Sequence, residues 1–97
     1  MRIVGRDILD EFCRAHADGR KWIGNWIAET AATRWRTPQD IKDRYRGASF
    51  LKDNQVIFNV KGNRYRMEVL VAYNTGTVVI QWIGTHSEYT KRMRQKQ

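Results

Sequence analysis

The chain has 97 residues, 41% apolar and 11% aromatic, which suits one domain around one modest core. Eighteen Lys and Arg against ten Asp and Glu leave a net charge of +8, so the expected partner is a polyanion, most commonly nucleic acid, or an acidic protein. The longest apolar run, Val69 to Tyr73, is far short of the roughly twenty residues that a bilayer span needs. Charge interrupts the amino terminus too early for a signal peptide, and a single cysteine, Cys13, excludes an internal disulfide and every multi-cysteine zinc site. A basic cytoplasmic domain is expected.

In chain order, Arg2-Ile3-Val4 is short enough for an edge strand. Ile8, Leu9, Phe12, Cys13 and His16 then form one helical stripe. Ala17-Asp18-Gly19 punctuates, and Asp18 is placed to cap a second helix. There Trp22, Ile23, Trp26, Ile27 and Ala31 repeat the helical spacing as far as Thr33 or Trp35. Thr37-Pro38-Gln39-Asp40 opens a third, short helix, with Thr37 as N-cap and Pro38 in the first helical position.

Near residue 48 the apolar period falls from helical spacing to two. Phe50 and Leu51 end one strand, and Val56, Phe58 and Val60 alternate with Gln55, Ile57 and Asn59 in the next. Lys61-Gly62-Asn63 turns into a strand whose Tyr65, Met67, Val69, Val71 and Tyr73 share one face. Asn74-Thr75-Gly76 turns again into Thr77 to Ile83, and Gly84 to Glu88 ends that strand and opens a helical turn. Ser87 to Arg94 has no apolar face, so the basic segment 93–97 is expected to be a mobile tail on a single domain spanning residues 1–92. The fold class is α+β: helices first, then a three- or four-stranded antiparallel meander covered on one face.

Little conventional chemistry is available. His16 and His86 are far apart and neither has a second ligand at metal-binding spacing, and phosphate-binding, dinucleotide and serine-hydrolase motifs are absent. Cys13 on its apolar stripe reads as a core residue, as do Trp22 and Trp26. What remains is cationic. Alternation puts Arg64 and Arg66 on one strand face, near Lys61, where they either grip phosphates or form an ordinary solvated face with Glu68 as partner. Arg34, Arg36, Lys42, Arg44 and Arg46 with Tyr45 make a second basic stretch that could track an RNA backbone. His86, at a strand end beside Thr85, Glu88 and Tyr89, suits proton transfer near neutrality.

Three segments, Thr37 to Lys42, Phe50 to Asn54 and Phe58-Asn59-Val60-Lys61-Gly62-Asn63-Arg64-Tyr65-Arg66, followed by Ile83-Gly84-Thr85-His86-Ser87-Glu88-Tyr89, resemble the HigB-type toxins of bacterial type II toxin–antitoxin systems. The likeness spans about residues 1 to 92. It implies the RelE-like fold, with N-terminal helices packed on one face of a twisted antiparallel sheet. It also implies an mRNA endonuclease that works on the translating ribosome without metal or other cofactor. The implied partners are mRNA, the ribosome and a HigA-type helix-turn-helix antitoxin, through which alone the chain would meet DNA. Carried onto this sequence, the pattern marks Asn59, Lys61, Asn63, Arg66, His86 and Tyr89. Arg66 and Lys61 are assigned to the phosphate, His86 and Tyr89 to proton transfer. Arg64, Asn59, Asn63, Arg44, Arg46 and Lys91 are assigned to RNA binding. The family often has Asp where this chain has Thr90, so a carboxylate that would orient His86 is missing. A basic RNA-binding module of the same fold without cleavage is the alternative. A DNA-binding regulator is disfavoured because the first two helices spend their best faces on Trp and Ile.

Overall fold

A computed structural model describes residues 1–95. Strand β1 (Arg2–Val4) leads into α1 (Arg6–Ala15), a 3-10 turn (Ala17–Gly19), α2 (Arg20–Ala32) and α3 (Pro38–Arg44). Strands β2 (Ser49–Phe50), β3 (Gln55–Val60), β4 (Tyr65–Ala72) and β5 (Thr77–Thr85) follow, and α4 (His86–Gln95) closes the described chain. The five strands form one mixed sheet in the order β1-β5-β4-β3-β2. The meander is antiparallel, as its turn signals predict, and β1 adds to β5 in parallel.

The helical stripes face the sheet. Leu9, Phe12 and Cys13 of α1, Ile23 and Trp26 of α2, Trp35 and Ile41 pack on Val56, Phe58, Val60, Tyr65, Met67, Val69, Val71, Val78 and Ile80. Trp26 meets Phe58 edge-on at 5.5 Å, and Trp35 and Tyr45 close on the same ring at 6.2 and 5.2 Å. Aromatic pairs of this kind add about 0.5–1.5 kcal/mol each beyond simple burial. Trp26 is 1% exposed, so its truncation falls among large-to-small core changes costing about 3–5 kcal/mol.

α3 starts with a complete capping box: Thr37 accepts from the Asp40 amide, and Asp40 accepts from the Thr37 amide. Asp18 does not cap α2. Gly19 occupies that position without a side-chain bond, because the Asp18 carboxylate is taken by Tyr65 and Arg64 from the far end of the sheet.

The second sheet face departs from the expected open surface. The final helical turn extends to Gln95 as α4, which runs over β4 and β5 on the side opposite the other helices. Ile57 is buried there although alternation places it with Gln55 and Asn59. Of the segment 93–97, residues 93–95 form the last turn of α4, and 96 and 97 lie outside the described residues. α4 is placed by polar chemistry: Arg92 Nε donates to Glu68 Oε2 at 2.9 Å while its guanidinium lies 5.3 Å over the Trp82 ring. Gln55 Nε2 donates to Glu68 Oε1 at 2.6 Å and to Gln81 Oε1 at 2.9 Å. The solvated-face pairing of Arg66 with Glu68 is therefore replaced by a buried pairing of Glu68 with Arg92.

Candidate active site

Strand pairing sets the site. Asn59 of β3, Arg66 of β4 and Gly84 of β5 lie across from one another, at the end of the second face nearest the β3–β4 turn. Cross-strand partners point to the same side, so Asn59 and Arg66 share this face. The Arg66 guanidinium is half-buried and steered by weak bonds, to the Tyr65 carbonyl at 3.3 Å and to Asn63 Oδ1 at 3.5 Å. Among the described residues no carboxylate lies within ion-pairing distance of Arg66. Its charge is available to a ligand. At Gly84 a side chain is excluded, since a Cβ would stand 2.6 Å from the Trp82 ring and 2.9 Å from Glu88 Oε1. The absence of a side chain there lets Trp82 lie down beside the arginine position.

His86 begins α4 directly after β5, and its backbone amide donates to the Arg64 carbonyl at 3.1 Å, which fastens the helix start to the β3–β4 turn. Its side chain is exposed. Glu88 is committed elsewhere. It accepts from the Thr85 amide at 2.8 Å while its own amide donates to Thr85 Oγ1 at 3.1 Å, a second capping box. The Thr85 amide first, and then the Thr85 side chain, hold the Glu88 carboxyl below its usual range, despite some burial that opposes them. Thr90 Oγ1 donates to the His86 carbonyl at 3.0 Å and so braces the backbone of α4. Tyr89 is half-buried 6.2 Å from Trp82. Burial raises its phenol pKa above the ordinary value, the Glu68 charge raises it further, and Arg66 partly offsets both. Tyr89 therefore stays protonated at neutral pH.

The other cations expected in the site are held apart from Arg66. Arg64 belongs to the turn rather than to β4, so strand alternation does not apply to it. Its Nη1 donates to Asp18 Oδ2 at 2.7 Å. Lys61 has a left-handed backbone (φ 50) ahead of Gly62, and its ammonium donates to the Asp18 carbonyl at 3.0 Å, with the carboxylate at 3.8 Å. Tyr65 completes the cluster at 2.7 Å and is the largest cause holding the Asp18 carboxyl below its ordinary range. Asn59 Nδ2 donates to the Gly47 carbonyl at 3.2 Å, tying β3 to the loop before β2. Arg44 is paired with Glu29 at 2.6 Å and lies 4.8 Å over the Tyr45 ring, in the helical layer. Arg46 and Lys91 are exposed. The structure thus gathers Arg66, Asn63, His86 and Tyr89 at one end of the second face, with Lys61 and Arg64 at its margin, the Asn59 amide turned to the Gly47 loop beside it, and Arg44 elsewhere.

Sequence reasoning missed Asp18 as an anchor of the β3–β4 turn, and Glu68, Trp82 and Arg92 as supports of α4. Among the described residues no three His, Cys, Asp or Glu side chains cluster so as to hold a metal ion. No helix among them is long and apolar enough to cross a membrane.

A family model for the RelE-like toxic component of a toxin–antitoxin system matches residues 20–92. The chain belongs to the HigB toxin family. The match takes in α2 through most of α4, including every residue gathered around Arg66, while β1, α1 and Asp18 precede it. The mixed five-stranded sheet with its helical layer agrees with a RelE-like small domain. As a HigB toxin the chain is one half of a pair, and an antitoxin is its partner. No curated protein matches it.

Proposed function

We propose that this toxin is an endoribonuclease that cuts messages on the translating ribosome without a metal ion, and that a HigA-type helix-turn-helix antitoxin silences it. The observation that carries the reading is Arg66, a guanidinium with no carboxylate in ion-pairing distance among the described residues, at the end of the sheet where a strand-end histidine and a half-buried phenol follow. In the proposed reaction the RNA 2′-hydroxyl attacks the adjacent phosphorus, the P–O5′ bond breaks, and the products are a 2′,3′-cyclic phosphate and a 5′-hydroxyl. Arg66 stabilises the charge that builds on the phosphoryl oxygens. His86 accepts the 2′-hydroxyl proton as general base. Tyr89, held protonated, supplies the proton to the departing 5′-oxygen. Asn59 and Asn63 hold the surrounding turns, and Lys61, Arg64, Arg46 and Lys91 add positive potential along the path of the strand.

Single-turnover cleavage of a message on programmed ribosomes tests these assignments. Arg66→Ala is expected to lose roughly a hundredfold or more in rate, the scale for one donor aimed at developing charge. His86→Gln keeps hydrogen bonding but cannot exchange a proton near neutrality, and is expected to lose about 10²–10⁴-fold. A glutamine variant as fast as the parent refutes His86 as base. An Arg66→Ala variant with parental rate refutes Arg66 as the phosphate donor, and a message left uncut by the parent chain favours the non-cleaving RNA-binding alternative.

A further inference from the structure

On the helical side of Asn59 lies a cavity of about 230 Å³ that the cleavage chemistry does not use. Trp22 and Tyr45, both half-buried, line it with ring centroids 6.2 Å apart and planes tilted by 55°. Trp26 and Phe58 also line it, and Asn25 and Asn59 bring amides to its wall. The space exceeds one water's share of about 30 Å³ several-fold. It is smaller than the roughly 300–1,000 Å³ of sites for drug-sized ligands. One planar ring system suits it.

The charges at the wall argue the same way. Glu29 accepts from Arg44 at 2.6 Å and from the Tyr45 hydroxyl at 2.7 Å, so anion and cation cancel while Tyr45 is fixed in place. Burial, followed by the Glu29 contact, pushes the Tyr45 phenol far above its ordinary pKa, so this network does not titrate near neutrality. A phosphate gains little from a neutralised wall, whereas an uncharged aromatic ring keeps its stacking energy. The exposed Asn25 side chain lines the cavity, and an amide offers both a donor and an acceptor to a base edge. The cavity also stands beside the cleavage face. Asn59 borders it and pairs across the ladder with Arg66, a separation of about 5 Å between partners.

We infer that this cavity is a nucleobase pocket, which takes one unstacked base of the single-stranded RNA whose phosphate meets Arg66. Protein sites for single-stranded RNA use aromatic surfaces in this manner, splaying bases out and reading their edges. The inference rests on the ribonuclease reading for its choice of strand, but the pocket itself can be tested without cleavage.

The test follows the indole and Tyr45 resonances of the full chain by NMR during titration with the four nucleoside 5′-monophosphates, with ribose 5-phosphate as the base-free control. At least one mononucleotide is expected to shift Trp22 and Tyr45 in a saturable way, while ribose 5-phosphate leaves them in place. Trp22→Leu is expected to weaken that binding about tenfold, the scale for losing one stacking surface. Asn25→Ala, an exposed change with no folding cost of note, is expected to alter the ranking of the four bases. Equal shifts from ribose 5-phosphate, no shifts at Trp22 and Tyr45, or parental binding by Trp22→Leu together with an unchanged ranking in Asn25→Ala would overturn the pocket. On the ribosome, a message bearing 4-thiouridine at the cleaved codon is expected to crosslink to Trp22 or Tyr45. Crosslinks from that 4-thiouridine to ribosomal RNA or to other toxin residues, with none to Trp22 or Tyr45, would overturn the assignment to the message strand. A chain that cleaves but binds no mononucleotide loses only the pocket. One that binds mononucleotides without cleaving loses only the nuclease reading.

Discussion

Replacing Arg92 with methionine removes the charge that fastens α4 to the sheet while keeping a side chain of similar length. The carboxylate it serves, Glu68, is 1% exposed, and the Arg92 side chain is 34% exposed. Removing one partner of a buried ion pair costs about 3–5 kcal/mol. Water reaches the arginine side here, which puts the loss near the low end, about 3 kcal/mol. Losing the cation over Trp82 adds about 0.5–1 kcal/mol. Against a total stability of about 5–15 kcal/mol this is a large fraction. Urea unfolding followed by tryptophan fluorescence measures it, and the melting point is expected to fall by more than about 10 °C. Adding Glu68→Gln to the same chain removes the buried charge, and most of the lost stability is expected to return. A loss below about 1 kcal/mol in Arg92→Met, or a double variant no more stable than the single one, refutes the view that this pairing holds α4. The same loosening moves His86 and Tyr89, so cleavage by Arg92→Met is expected to fall although neither residue is altered.

Asp18→Asn should weaken the anchor of the β3–β4 turn in a pH-dependent way. The Asp18 carboxyl is held below its ordinary range by Tyr65, then by Arg64 and Lys61, so its contribution is complete above the unfolded value of about 3.9. That contribution is lost as pH falls through the lower folded value. Acid unfolding should therefore show a parental advantage at pH 5 to 7 that shrinks below about pH 4, and a constant gap down to pH 2 would contradict it. Thr85→Ala removes one half of the capping box at the start of α4 and should cost about 0.5–2 kcal/mol in urea unfolding. No change would mean that α4 starts without it.

Much of the fold is legible because its elements bury regular stripes. The period of Leu9, Phe12 and Cys13, the Thr37-Pro38 start and the alternation through Met67 and Val69 are local signals, and each element stands where it is expected. α4 is less legible, since none of its residues is buried and its hold comes from Glu68, a residue 24 positions away in sequence. The Asp18 cluster is hidden for the same reason, with 46 positions separating its carboxylate from Arg64. Arg64 is misplaced by assuming that alternation starts before the strand does. Thr85-His86-Ser87-Glu88 carries a readable capping-box spacing, which the proton-transfer reading of the same residues obscures. Arg66, Asn63, His86 and Tyr89 can be grouped from sequence by a strand end and a turn. Sequence does not reveal that Lys61 and Arg64 both bond to Asp18, because only tertiary folding brings the turn between α1 and α2 to that place.

The chemistry of the cut ends tests the central claim most directly. Purified toxin is added to translating ribosomes, new message ends are mapped, and their termini are identified by enzymatic ligation and phosphatase sensitivity. Attack by the 2′-hydroxyl predicts 2′,3′-cyclic phosphates paired with 5′-hydroxyls, and loss of those ends with Arg66→Ala. New ends bearing 5′-phosphates, the mark of attack by water with the 3′-oxygen leaving, or no new ends at all, would contradict it.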